Sequence, residues 1–362
     1  MLYEILYPLS KHYTAFNLFR YISFRAIFAA LTAFLVCVIV GPAIIRMLLR
    51  LKVGEKVWSA DPTILAMNRK RENTPTMGGF IMLLAIVIAV FLFGRLDNLY
   101  VILGLWTVAA YALIGAADDW RKQKTRRGLR TLTKLWLQVI VTALAVTVMW
   151  LELKDRPGLT SFQMPFLKDW VIELGPAYVV LGFVVIVGAS NGVNFTDGMD
   201  GLAIGGVTMT ALTLMVIAYL VGRVDTSRFL HLIYVPGAGE LTVFLGAIVG
   251  AGLGFLWFNC PPAEIFMGDT GSLSLGAALG FVAFACRQEV ALAIAGLMFV
   301  ADALSVLIQV GSFRIFGRKW LPFAPLSNLW KVRGMEPTKI TVRYWIVTAL
   351  MGALALALLK VR

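Results

Sequence analysis

Ten predominantly apolar runs divide this chain, at residues 22–45, 77–94, 100–118, 134–152, 173–191, 201–221, 241–258, 272–286, 290–311 and 341–359. Most have the length that carries a helix across a hydrocarbon core. Within each run the apolar residues lie on all sides rather than in one stripe, as expected where lipid or other helices surround the segment. Backbone groups in hydrocarbon must be satisfied within their own segment, and the alternation that a closed strand barrel needs is absent. The pattern therefore predicts an all-α integral membrane protein of about ten transmembrane helices, with residues 1–362 forming a single polytopic membrane domain. The eighth run is short. Tyr3 to Tyr21, where aromatics mix with Lys11 and Arg20, reads as an interfacial helix. Pro157-Gly158, Gly175-Pro176, Pro236-Gly237 and Pro261-Pro262 punctuate the connections as turns.

Charge sets the expected orientation. The connection after run one carries Arg46, Arg50, Lys52, Lys56, Arg69, Lys70 and Arg71. The one after run three carries Arg121, Lys122, Lys124, Arg126, Arg127, Arg130 and Lys134, and the one before run ten carries Arg314, Arg318, Lys319, Lys331, Arg333, Lys339 and Arg343. All three join an odd run to an even one, so they share a side, which the distribution of basic residues makes cytosolic. Both termini then fall on the non-cytosolic side. Two further odd-to-even connections, 191–200 and 260–271, open to the cytosol without any charge having been used to place them.

Composition agrees. Of 362 residues 59% are hydrophobic and 15% charged, and the mean hydropathy is +0.82. A soluble domain of this length could not hide so much apolar surface in one core. The net charge of +13 suits loops lying on anionic headgroups and would draw an anionic substrate; nucleic acid is not an expected partner. No cleavable signal peptide is read before the first run. Cys37, Cys260 and Cys286 lack metal or CxxC spacing and read as reduced packing residues.

Against this apolar background, acidic motifs at the ends of the runs stand out, because carboxylates there normally face a cavity, a partner or a metal. Asp118 and Asp119 are adjacent, so on a helix they diverge by about 100° and only one can address a given ligand while the other orients a neighbour. The segment Asn191-Gly-Val-Asn194-Phe-Thr-Asp197-Gly198-Met199-Asp200-Gly concentrates oxygens suited to a hard cation or to ribose and base edges, with glycines that admit close backbone approach. A capped turn is the competing reading. Phe266-Met-Gly-Asp269-Thr-Gly-Ser places an acid beside a helix start, where amides favour phosphate; a plain helix-capping role competes. Asn73-Thr-Pro-Thr-Met-Gly-Gly79 opens run two, either as a site element or as a helix start. Asp302 and Gln309 share one helical face, as site residues or as a buried polar pair that stabilises packing.

Taken together, NTPTMGG, GAADDWRK, NGVNFTDGMDGLA, GAGLGFLWFN, IFMGDTGSL and SVLIQVGSF, in this order, resemble the MraY family. These are the phospho-N-acetylmuramoyl-pentapeptide transferases of the polyprenyl-phosphate N-acetylhexosamine-1-phosphate transferase superfamily. The likeness runs almost end to end. It implies an Mg²⁺-dependent phosphoglycosyl transferase of peptidoglycan synthesis in the bacterial cytoplasmic (inner) membrane, with its site facing the cytosol. Its partners would be UDP-MurNAc-pentapeptide, undecaprenyl phosphate, membrane lipids and optionally a second copy in a homodimer. By the same resemblance Asp269 is the metal ligand, and Asp118 receives the lipid phosphate or its proton with Asp119 beside it. Lys134 holds phosphate, Asn191, Asn194 and Asp197 line the site, Gly198, Met199, Asp200 and Phe266 surround the uracil, and Gln309 lies near the nucleoside end. One departure stands out. After Ala324-Pro325 the family carries a histidine run, and here Ser327, Asn328 and Leu329 take those places. His12 and His231 belong to non-cytosolic segments and cannot substitute. A relative that keeps fold and binding with impaired turnover, or a sister transferase for another UDP-N-acetylhexosamine, is the alternative.

Overall fold

The computed structural model describes residues 2–51, 54, 74–125, 127–154, 160–163 and 171–360. Asn73 and the loop residues Lys52, Lys56, Arg69, Lys70, Arg71 and Arg126 lie outside the described residues, as do Pro157 and Gly158. Every apolar run is helical, and the principal helices are Ile22–Arg50 (α1), Gly79–Phe93 (α2), Leu99–Thr125 (α3), Thr131–Leu153 (α4), Ala177–Thr196 (α5), Leu202–Val221 (α6), Leu241–Asn259 (α7), Gly268–Ala285 (α8), Leu297–Phe316 (α9) and Pro337–Leu358 (α10). Eight helices among the described residues are long and apolar enough to cross a membrane. The chain is a multi-pass, all-α integral membrane protein.

Packing follows side-chain size. Gly246, Gly250 and Gly254 recur every fourth residue on the face of α7 turned to α1. A β-carbon on Gly250 would stand 1.9 Å from the Ala30 carbonyl oxygen, and one on Gly246 2.5 Å from that of Ala26. Small residues at this spacing let two backbones touch where no hydrophobic force favours one helix over lipid. α8 is the central helix, packed against α3, α5, α6 and α2, and every residue from Asp269 to Ala285 is buried. On α1, Ile27, Leu31, Leu35 and Ile39 form an exposed apolar stripe, the surface presented to acyl chains. At the end of the bundle away from the acidic motifs, the buried Arg25 guanidinium donates to both Glu240 carboxylate oxygens, at 2.7 and 2.6 Å.

Four expectations need correction. The eighth run, short as expected, starts earlier than its apolar residues: its helix begins at Gly268, because Asp119 accepts the amides of Asp269 and Thr270 and the polar GDTGS segment enters the helix. Run nine is two helices, Glu289–Ala295 and α9, separated at Gly296, the residue type with the least helical preference short of proline. The first twenty residues are not one interfacial helix but a short α-helix, Leu2–Leu6, followed by two 3₁₀ segments, Pro8–Lys11 and Thr14–Arg20. A two-stranded antiparallel ladder, Ser161–Gln163 (β1) with Val171–Glu173 (β2), lies between α4 and α5, where no strand was expected.

Candidate active site

The acidic motifs converge at one end of the bundle. Carboxylate oxygens of Asp118, Asp119 and Asp269 lie within 4.8 Å of one another, although Asp269 follows Asp119 by 150 residues. Two glycines permit this. A β-carbon on Gly115 of α3 would stand 2.3 Å from the Asp269 carbonyl oxygen, and one on Gly79 of α2 2.3 Å from the Gly271 nitrogen. The first turn of α8 is thus clamped between two helices by backbone contact. The segment before α2 adds a short ladder. Phe266 donates its amide to the Pro75 carbonyl at 2.8 Å, and Gly78 and Gly79 donate to the carbonyls of Phe266 and Met267 at 2.9 and 3.0 Å. The described part of the NTPTMGG motif is therefore the bed on which Phe266 to Asp269 lie.

The adjacent aspartates have separated duties. Asp119 Oδ1 accepts the Asp269 amide at 3.1 Å, while its Oδ2 accepts the Thr270 amide at 3.0 Å and the Thr270 hydroxyl at 2.8 Å. A buried carboxylate at a helix N-terminus satisfies orphan donors and complements the helix dipole; Asp119 caps α8 from another helix. Asp118, turned away by the helical rotation, accepts the Leu129 amide at 2.6 Å and pairs with Lys122 at 2.7 Å. Lys122 also reaches Asp269 at 2.9 Å, and Lys134 pairs with Asp269 and stands 3.9 Å from Asp118. Asn194 donates to Asp269 at 3.1 Å and to Ser272 at 2.8 Å. Two carboxylates, two ammoniums and an amide thus form one network, contributed by α3, α4, α5 and α8.

Beside the network lies a cavity of about 410 Å³ whose lining includes Gly198, Met199, Asp200, Phe266 and Lys331. The four residues expected at a uracil share this space. Asp200 accepts the Ala263 amide at 3.2 Å, and Asn259 braces the wall by accepting from the Gly201 amide at 3.0 Å and donating to the Ile265 carbonyl at 2.8 Å. The short helix Leu326–Val332, where Ser327, Asn328 and Leu329 sit, leans over this cavity. The Asn328 side-chain oxygen lies 3.8 Å from the point a β-carbon on Gly198 would take. Asp302 anchors that helix. It accepts the Ser327 amide at 3.0 Å, the Thr196 hydroxyl at 3.0 Å and the Tyr344 hydroxyl at 3.5 Å.

Three expected residues stand further out. Asn191 donates to Gln138 at 2.7 Å and to the Val187 carbonyl at 2.9 Å, so its amide faces α4 rather than the aspartates. Asp197 is the C-terminal cap residue of α5. Gln309 donates to the Leu321 carbonyl at 3.1 Å and does not line the cavity; it braces the chain leaving α9. Conversely, the basic pattern of the sequence marks Lys122 only as a loop charge. Its position one helical turn after Asp118 is the signal that places it in the network.

A sequence-family model described as Glycosyl transferase family 4 matches residues 80–287. Curated relatives match over their whole length and the whole of this chain. The phospho-N-acetylmuramoyl-pentapeptide-transferase of Oleidesulfovibrio alaskensis is 42% identical over 365 residues, and those of Citrifermentans bemidjiense and Geobacter sp. (strain M21) are each 43% identical over 366. The chain belongs to the phospho-N-acetylmuramoyl-pentapeptide transferase family. Within that family frame, the matched span from α2 to the turn after α8 holds every carboxylate of the network, and the anchored helix over the cavity falls beyond it.

Proposed function

We propose that this protein transfers phospho-MurNAc-pentapeptide from UDP-MurNAc-pentapeptide to undecaprenyl phosphate, giving lipid I and UMP, at the cytosolic face of the bacterial inner membrane. The observation that carries the reading is the joining of Asp118, Asp269, Lys122 and Lys134 in one network beside the cavity lined by Asp200 and Phe266. In the reaction an oxygen of the lipid phosphate forms a bond to the sugar-linked phosphorus. The bond from that phosphorus to the bridging oxygen breaks, and UMP leaves with the electron pair. Both reactants are anions, so the barrier is chiefly one of charge and position. Lys122 and Lys134 supply positive charge where phosphate oxygens crowd together. Asp118, held by the Leu129 amide, takes the proton of a singly ionised lipid phosphate. Phe266 offers an aromatic face to the base.

The donor set fits Mg²⁺, a hard cation held by one or two carboxylates together with substrate phosphates. Asp269 would hold it, because both oxygens of Asp119 are committed to α8, while Asp118, met by the Leu129 amide and Lys122, is kept for the proton. Bound there, it would neutralise charge on the diphosphate.

The test is UMP release from purified protein supplied with both substrates and Mg²⁺. Release that stops with EDTA, returns with Mg²⁺ and is lost in Asp269→Asn supports the proposal. Nucleotide binding without UMP release would favour the binding-only relative, which the residues at 327–329 motivate. Restoring histidines at those three positions then asks whether that loop is the defect.

A further inference from the structure

A second, smaller cavity of about 210 Å³ opens between the short helix Leu326–Val332 and α10. Trp330, Met335, Ile340, Tyr344 and Val347 are among its walls, with Arg343 the charged residue in the lining. It shares no lining residue with the cavity under Phe266, nor with the apolar groove between α5 and α9. Arg343 is exposed, and its guanidinium donates to the Met335 sulfur at 3.6 Å. Sulfur is a weak acceptor, and Arg343 forms no ion pair with a carboxylate among the described residues. Arg333, outside the lining, lies with its guanidinium 5.5 Å over the Trp330 ring. Arg343 stands six residues into α10, about 9 Å along its axis. Val342 and Ile346 beside it are exposed on the helix surface that faces acyl chains.

An apolar cavity with an unpaired arginine at its mouth, at the depth where a span enters the headgroup region, matches one kind of occupant. We propose that this cavity binds an acidic glycerophospholipid, with its phosphate on Arg343 and the start of an acyl chain against Trp330, Tyr344 and Val347. Arginine presents a planar fork suited to phosphate oxygens, and basic pockets between membrane helices select anionic headgroups. The consequence reaches the substrate cavity through one short helix. Trp330 faces the lipid cavity, the adjacent Lys331 lines the cavity under Phe266, and Asn328 leans toward Gly198. A lipid seated on Trp330 props the helix that walls the nucleotide side.

The test is native mass spectrometry of protein extracted from nanodiscs of phosphatidylcholine with or without phosphatidylglycerol. Wild type should retain one phosphatidylglycerol per chain in preference to phosphatidylcholine. Arg343→Gln should weaken that retention about tenfold, as expected for losing one charge-assisted pair. Arg343→Lys should keep most of it. Val347→Phe, which fills the cavity and leaves the arginine, should also weaken it, so the result does not hang on one variant's folding. Arg314→Gln, an exposed cation on α9 away from the cavity, serves as control and should retain lipid as wild type does. Equal retention of both lipids, equal loss in the Arg314 and Arg343 variants, or displacement of phosphatidylglycerol by undecaprenyl phosphate at equal concentration would overturn the proposal.

Discussion

Replacing Asp119 distinguishes a residue that builds the site from one that does chemistry in it. Its carboxylate receives two backbone amides and one hydroxyl at the start of α8. Asp119→Ala strands both amides in a buried setting at about 1–3 kcal/mol each, so a loss of about 2–6 kcal/mol is expected. Asp119→Asn keeps one neutral acceptor oxygen and should lose about 1–3 kcal/mol. Asp118→Asn differs. Its amide oxygen can still accept from Leu129; the lost attraction between a buried Asp118 and the partly exposed Lys122 is offset by relieved repulsion from the Asp269 carboxylate, so the net change is about 0–1 kcal/mol. The assay is melting in detergent beside UMP release at two temperatures. Asp119→Ala and Asp119→Asn should melt early, and Asp119→Asn should recover part of its rate on cooling. Asp118→Asn should melt near wild type and stay inactive at both temperatures. The division of labour would be wrong if Asp119→Asn melted with wild type while losing as much turnover as Asp118→Asn.

Gly115→Ala should both destabilise the protein and slow transfer, since the new methyl would meet the Asp269 carbonyl at 2.3 Å; backbone on backbone leaves no rotamer to relax, and overpacking of this kind costs about 1–3 kcal/mol. Unchanged melting and rate would refute the clamp. Lys122→Gln should cut UMP release at least tenfold with little change in melting, because the lysine bridges two acids from a partly exposed position; a rate near wild type would remove it from the network. Phe266→Ala should raise KM for the UDP substrate roughly tenfold, the scale of losing a base-stacking surface, with kcat nearly unchanged. A fall in kcat alone would mean that the ring does not meet the base.

Much of this arrangement was legible before any coordinates. The runs gave the helices because hydrocarbon permits little else, and the opposed directions of Asp118 and Asp119 followed from helical rotation alone. Convergence at one end followed from counting odd and even connections. What escaped had weaker local marks. Lys122 sits in a cluster of seven basic residues, and nothing in composition separates it from its neighbours. The break at Gly296 is a single residue inside an otherwise continuous apolar run. Asp119's service as a cap for a helix 150 residues away is a tertiary fact with no local signature. Asp302 shares a helical face with Gln309, yet its partners are Thr196, Ser327 and Tyr344.

Lys122 and Lys134, draped over Asp269 and Asp118, give the acidic cluster an internal counter-charge of its own. Two ammoniums set against two carboxylates bring the cluster close to neutrality, so four helices can meet there without the repulsion that a bare acidic pair would impose.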